Sequence, residues 1–371
     1  MSDSSNLGDS RLAAWLAGRI EASERKAIPF ISFMEACLYH PLYGYYMREQ
    51  EKIGRDGDFY TSASLGTIMG EMLAAFFAGH FERYLSEDVC AVVEWGAGNG
   101  KLAADIADEL KKTAPHVYRK LRYTLIDASP HHRRMLRLLA ERHPGVFTVA
   151  APEEAGSGSL PRGAVVFCNE LLDAFPVHRL VVKDGRFQEV YVAWDGRGFV
   201  PMLVPDVPDE VAAYLREYAG EAAEGQTVEA NLAADAWIRE IAGRIGEGML
   251  MIIDYGGLAE EIYAPHHHDG TLMCYHRHIA HGDPYRHVGR QDITAHVNFS
   301  ACIKSGLSAG FTSWSLKSQR RFLIDAGLLD RLEAHASTDP FHPAARRNRA
   351  IRQMLIDDGM GELFKVLTLV K

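Results

Sequence analysis

The chain has 371 residues, 47% of them apolar and 24% charged, with a net charge of −9. This is globular composition for one large core or two domains, and the acidic balance argues against broad nucleic-acid binding, which needs a basic surface. No apolar run is long enough to span a bilayer, and the five cysteines (Cys37, Cys90, Cys168, Cys274, Cys302) are too scattered for a disulfide framework or a zinc ribbon.

The start, MSDSSNLGDS, holds two aspartates and no arginine. It resembles neither a secretory signal nor a mitochondrial presequence, and the expectation is a bacterial-type cytoplasmic protein with reduced thiols. Leu12, Trp15, Leu16 and Ile20 recur at helical spacing and predict an amphipathic helix over 11–26. Ser32 with Glu35 reads as a capping box that opens the next helix, which HPLYGYY ends. The Gly/Asp-rich loop GRDGDFYTS then precedes the helical run SLGTIMGEMLAAFFAGHFERYL. Apolar strands are predicted near 90–95, 121–126, 146–150, 164–168 and 248–253, and helices near 101–111, 131–142 and 231–245. Alternation of this kind implies an α/β fold with a mostly parallel sheet covered on both faces. HRLVVKDGRFQEVYVAWDGRGFVPMLV, with turn signals at Asp184-Gly185 and Asp195-Gly196, predicts an antiparallel meander. The His-rich stretch 265–300 reads as a loop ending in a helix from Asp292, and LFKVLTLV as a last strand. The expected organisation is an N-terminal helical extension with the GDFYTS loop over 1–85, then an α/β domain over 86–371 with insertions near 178–225 and 260–300.

The chemistry gathers in VCAVVEWGAGNGKLAADI. Gly96, Gly98 and Gly100 follow a strand and precede a helix, the context a ligand loop requires. The dinucleotide fingerprint fails from Gly96, where Lys101 replaces the third glycine, and fits from Gly98 only through its Ala103 variant. A phosphate loop fails at Trp95 and Leu102. The pattern (D/E)xGxGxG fits, and it resembles the first motif of class I S-adenosylmethionine-dependent methyltransferases. The competing reading is a tight turn without ligand. Asp127 ends the next strand, where a second acid would hold ribose hydroxyls; the alternative is a helix cap, and Ser129 and Pro130 would start the following helix. Asn169 and Glu170 stand at the carboxyl end of AVVFC, with Asp173 three residues on.

SFMEACLYHPLYGYYM, IGRDGDFYTS, VVEWGAGNGKLAADI, NELLDAFPVH, MIIDYG, GTLMCYHRH, GRQDITAHVNFS and GELFKVL occur in that order. Together they resemble the MidA family, which includes the mitochondrial complex I assembly arginine methyltransferases, from about residue 10 to the end. The resemblance implies a class I methyltransferase (Rossmann-like) fold, S-adenosyl-L-methionine as methyl donor, and an arginine of an NADH dehydrogenase (complex I-type) subunit as acceptor. Ala63 and Ser64 depart from the family's Pro-Glu, Asp127 from its Glu, and Asn298 from its Asp; Ser64 removes a carboxylate from the expected pocket.

On that reading Glu94, Gly96, Gly98, Gly100, Asp127, Ser129 and Asn169 hold the donor, with Thr61 and Ser62 bonding its carboxylate. Glu170, Asp173 and Asp58 are the candidate catalytic carboxylates, gripping a guanidinium, and His178 is a further proton acceptor. Tyr43, Tyr45 and Tyr46 are either a cation wall or buried corner residues. Asp254 and Tyr255 end a core strand and are expected to orient the loop that follows them rather than do chemistry. His266, His267, His268, His276, His278, His281 and His287 lack metal-ligand spacing, so no metal is expected. The alternatives are a small-molecule methyltransferase, a non-catalytic donor-binding assembly factor, and a nicotinamide oxidoreductase. The sequence leaves the oligomeric state open.

Overall fold

Near-continuous apolar runs such as CAVVEW and AVVFC have no polar face, so they demand cover on both sides, the environment of a central parallel strand. The structure, a computed structural model, describes residues 7–49, 67–220, 222–335, 339, 341–355 and 360–371. It divides into two compact units: Met1–Tyr60, Leu172–Ile238 and Gly256–Ser305 form the first, and Thr61–Leu171, Arg239–Tyr255 and Gly306–Lys371 the second.

The second unit is a mixed α/β structure around a mostly parallel sheet. Its strands run in the order Ser313–Ser318, Phe364–Val370, Gly248–Gly257, Ala164–Asn169, Cys90–Trp95, Leu121–Ile126, Phe147–Ala150. Phe364–Val370 is antiparallel to both neighbours, whereas the strands from Gly248–Gly257 to Phe147–Ala150 are parallel. Cys90–Trp95 is buried along its whole length. One apolar cluster gathers Met72, Phe77, Val92, Ile106, Leu125, Leu136, Phe167, Met251 and Val366, binding the helices Ile68–Phe81, Lys101–Thr113 and Pro130–Ala140 to the sheet. The helix Ile68–Phe81, grouped by sequence with the N-terminal extension, belongs to this unit.

Inside this unit Glu71 is nearly buried and meets Arg347 in a two-pronged pair at 2.5 and 2.9 Å, with Thr67 Oγ1 donating at 2.6 Å. The Arg347 hydrogen bonds outweigh burial and hold the Glu71 carboxyl at about 2, below its ordinary value. A lowered folded-state pKa means the pair stabilises the fold above the ordinary carboxylate pKa and that this contribution fades as pH falls towards 2. Arg347→Ala leaves the buried carboxylate with the Thr67 hydroxyl and with Arg331 3.9 Å away, and is expected to lower stability by about 2–4 kcal/mol at neutral pH. Chemical denaturation at neutral pH and near pH 3 checks this: the gap between wild type and variant narrows in acid, and a pH-independent gap refutes the ionic explanation.

The first unit carries the helices Ser10–Ala22, Phe30–Tyr39 and Asp209–Tyr218 and two antiparallel sheets. The larger runs Ala27–Pro29, Arg186–Trp194, His178–Lys183, Thr227–Ala230, with Phe199–Val204 also paired to Arg186–Trp194. This includes the expected meander. Its first turn is tight because Asp184 and Gly185 both take positive φ (54° and 69°). The smaller sheet runs Ile279–His281, Met273–His276, Asp292–Thr294. Leu12, Leu16, Ile20, Phe30, Phe33, Met34, Val192, Phe199 and Ile293 form its main core.

Three local expectations are corrected. Ser32 is not a helix cap: the extended strand Ala27–Pro29 pairs with Arg186–Trp194 as far as Pro29, and the helix starts at once at Phe30 without a side-chain cap. Asp292 starts a strand, because its segment pairs with Met273–His276; the helix begins at Phe299, with Asn298 Oδ1 accepting from the Ala301 N–H at 3.2 Å. Trp15 lies 40% exposed, off the buried stripe of Leu12, Leu16 and Ile20. Among the described residues no helix is long and apolar enough to cross a membrane.

Candidate functional site

The strand order places a switch point in the second unit. From Cys90–Trp95 the chain winds outward through Leu121–Ile126 to Phe147–Ala150, then returns to pair Ala164–Asn169 on the other side. At such a reversal the loops leave the sheet in opposite directions and open a crevice at the carboxyl ends. The glycine loop and the Asn169-Glu170 turn both emerge there, since Trp95 is in register with Cys168 and Ile126.

Gly96, Gly98 and Gly100 all take positive φ (72°, 57°, 78°), a conformation that L side chains pay for in strain. Gly96 and Ala97 donate to the Ile126 carbonyl at 2.9 and 3.1 Å, folding the loop over the neighbouring strand end. Space is restricted as well: a Cβ on Gly100 would stand 2.7 Å from Leu136 Cδ2, and one on Gly96 3.1 Å from Leu171 Cδ1. Gly100 also precedes the helix Lys101–Thr113 as its N-terminal flank.

Asp127 braces the loop. Its Oδ2 accepts from the Gly98 N–H and its Oδ1 from the Ser129 N–H, both at 2.8 Å, and His132 Nδ1 lies 3.3 Å from Oδ1. Ser129 caps the helix Pro130–Ala140 by accepting from the His132 N–H at 3.4 Å. A carboxylate offers about four acceptor positions, so Asp127 retains capacity toward a ligand hydroxyl.

Glu94 is buried, and Tyr123 Oη donates to its Oε2 at 2.6 Å. Burial, assisted by the nearby Asp127 charge and opposed by the Tyr123 hydrogen bond, pushes its carboxyl up to about 8. Tyr123 was not singled out in the sequence, although the parallel register that sets Val92 beside Tyr123 brings it to this position.

Glu170 has φ +54°, in the left-handed region that a non-glycine residue seldom adopts. Two bonds hold it there: the Glu170 N–H donates to the Ile253 carbonyl at 2.9 Å, and the Leu171 N–H donates to Asp254 Oδ2 at 3.2 Å. Asp254 is fully buried, and its Oδ1 accepts from the Tyr255 N–H at 2.9 Å. Asp254 was expected to orient the loop that follows it; its Oδ2 fixes the turn that carries Glu170. Asn169 Nδ2 donates to Glu170 Oε1 at 3.1 Å.

The second unit therefore brings together Glu94, Gly96, Gly98, Gly100, Asp127, Ser129, Asn169 and Glu170. Asp173 belongs to the first unit, where it is buried and its carbonyl accepts from the Ala295 N–H at 2.9 Å. Asp58, Thr61, Ser62, Ala63 and Ser64 lie outside the described residues. His178 is engaged by Glu189 at 2.6 Å, and Tyr46 Oη donates to Asp292 at 2.7 Å, both within the first unit. Burial, with His267 nearby, lowers His296 to about 4 and keeps it neutral. Among the described residues no group of three or more His, Cys, Asp or Glu side chains is arranged to hold a metal.

Comparisons with known proteins bear on this edge of the sheet. A family model described as "Putative S-adenosyl-L-methionine-dependent methyltransferase" matches residues 72–314. A crystal structure from Burkholderia thailandensis, bound to S-adenosyl-homocysteine, is similar with a TM-score of 0.84 at 34% identity, covering 97% of this chain and 92% of that one. The protein arginine methyltransferase NDUFAF7 homolog, mitochondrial, of Drosophila melanogaster is 27% identical over 80% of this chain and 70% of its own length. Its Danio rerio counterpart is 25% identical over 92% of this chain and 83% of its own. The chain belongs to this family of S-adenosylmethionine-dependent methyltransferases.

Proposed function

We propose that the chain methylates an arginine side chain of a protein, with a subunit of a complex I-type NADH dehydrogenase as the expected substrate. The observation that carries the reading is Glu170, a carboxylate held in strained backbone at the switch point beside the glycine loop. Strain of this kind persists where the surroundings over-determine it, and it concentrates at functional sites. The relatives named protein arginine methyltransferases support the choice of acceptor.

The residues at this edge suit S-adenosylmethionine. The glycine loop exposes backbone, Asp127 keeps acceptor capacity for ribose hydroxyls, and Glu94 is a carboxyl behind the loop. The bound donor supplies an electrophilic methyl group. The chain's own part is to position the acceptor and exclude water. A guanidinium is protonated and delocalised at neutral pH. Glu170 would grip two of its nitrogens, concentrate the lone pair on the third and accept the departing proton.

The test is incubation of the purified chain with methyl-tritiated S-adenosylmethionine and a respiratory-membrane extract, followed by acid hydrolysis. Label in methylarginine from a protein band supports the proposal. Label in another amino acid, or only in small molecules, sinks the arginine assignment.

A further inference from the structure

The turn that carries Asp127 runs into a helix with the wrong charge at its start. The helix Pro130–Ala140 opens with Pro130, His131, His132 and Arg133 and has no acid in its first turn. The positive end of the helix dipole disfavours a cation at that place, and an arginine there gains most by extending away from the helix end. Arg133 does the opposite. Its Nη1 turns back along the chain and donates to the Asp127 carbonyl and to the Ala128 carbonyl, both at 2.7 Å. Each terminal nitrogen of a guanidinium carries two N–H groups, so one nitrogen serves both oxygens.

These bonds complete the hold on the turn. The Ile126 carbonyl accepts from the Gly96 and Ala97 N–H groups, and the next two carbonyls in the chain, those of Asp127 and Ala128, accept from Arg133. The Asp127 N–H donates to the Ala150 carbonyl at 3.3 Å. Among these bonds to the turn's backbone, Arg133 supplies the only charged donor, and charge-assisted hydrogen bonds are about twice as strong as neutral ones.

A carbonyl fixed in space fixes the last backbone dihedral of its residue, and with it the direction in which the side chain leaves. The Gly98 and Ser129 N–H groups hold the two oxygens of the Asp127 carboxylate; Arg133 holds the backbone from which that carboxylate springs. A hydroxyl donating to a carboxylate needs its acceptor within about 2.5–3.0 Å and well aligned, so a turn free to rock would lose the bond while keeping the fold.

We propose that Arg133 is a positioning residue for the methyl donor: by clamping the Asp127 and Ala128 carbonyls it aims the Asp127 carboxylate at the ribose hydroxyls. The inference rests on the reading that Asp127 takes those hydroxyls.

Isothermal titration of the full chain with S-adenosyl-homocysteine, and with an analogue of it that lacks the ribose hydroxyls, tests the proposal. The wild type is expected to prefer S-adenosyl-homocysteine by about tenfold or more, because the hydroxyls donate to a charged acceptor. Arg133→Met keeps the apolar stem and removes the N–H groups. It should weaken S-adenosyl-homocysteine by about tenfold and leave the analogue nearly unchanged, so that the preference collapses. Arg133→Gln, a milder change, is read by the same ratio if the methionine variant does not fold. A purely structural arginine would weaken both ligands equally, and that result overturns the proposal; so does a preference unaltered in the variants. Equal affinity of the wild type for the two ligands strikes earlier: it removes the reading that Asp127 holds the hydroxyls, and the proposal falls with it. No methyl acceptor is present, so the outcome is separate from whether arginine is the methylated residue.

Discussion

Glu170→Gln is expected to reduce methyl transfer by about a thousandfold while leaving S-adenosylmethionine affinity nearly unchanged. The amide keeps the size and one acceptor of the side chain. It loses the charge needed to grip a cation and the capacity to accept its proton. A second substitution separates chemistry from folding. Glu170 sits at φ +54°, and glycine takes that conformation without a clash, so Glu170→Gly should gain roughly 1 kcal/mol of stability. For a chain of this size that is a rise of about 2 °C in melting temperature. A variant that is more stable and inactive would mean that the fold carries strain for the sake of the site. Isothermal titration, radiolabelled transfer and thermal melts give the three readouts. Full turnover in Glu170→Gln would remove Glu170 from the chemistry, and a lower melting temperature in Glu170→Gly would remove the strain argument.

The second large effect belongs to Glu94. Its carboxyl, pushed up to about 8 by burial with a contribution from Asp127, holds its proton in the folded state well above the ordinary value of 4.5. A raised folded pKa means that the unfolded chain ionises first. The stability contribution is therefore complete below about pH 4.5 and is lost as pH rises towards 8. Above that range the fold carries a buried charge, and a shift of this size corresponds to several kcal/mol. Glu94→Gln keeps an acceptor for the Tyr123 hydroxyl, bonded at 2.6 Å in the wild type, and cannot ionise. The two proteins should have similar stability near pH 5, and the variant should be the more stable at pH 9. Urea unfolding across that range, without S-adenosylmethionine, checks this. Parallel pH curves for the two proteins would show that Glu94 is already charged in the fold.

The central sheet was legible because its signals are local. Apolar runs bounded by Gly, Asp and Pro name buried strands, and the glycine loop announces itself by spacing after Cys90–Trp95. The meander was read from two Asp-Gly turns. Less legible were elements decided by their partners. Ser313–Ser318 has a half-exposed polar pattern and becomes a strand because Phe364–Val370 offers an edge. The same competition moved two helix starts: Asp292 was taken into a strand paired with Met273–His276, and the helix expected to open at Ser32 begins at Phe30, directly after the strand Ala27–Pro29.

At the site, the sequence by itself determined the family, the methyl donor and the acids at the strand ends, since these depend on residue type at fixed spacing in Glu94, Gly96, Gly98, Gly100, Asp127 and Glu170. Only the tertiary structure decided how each acid is used. Asp127 braces the Gly98 N–H, Glu94 is paired to Tyr123 in a medium that keeps its proton, and Glu170 is held in a left-handed turn by Asp254, 84 residues along the chain. Those roles depend on burial and on hydrogen bonds between strands that are neighbours in the sheet and distant in sequence, and no local pattern encodes such a distance.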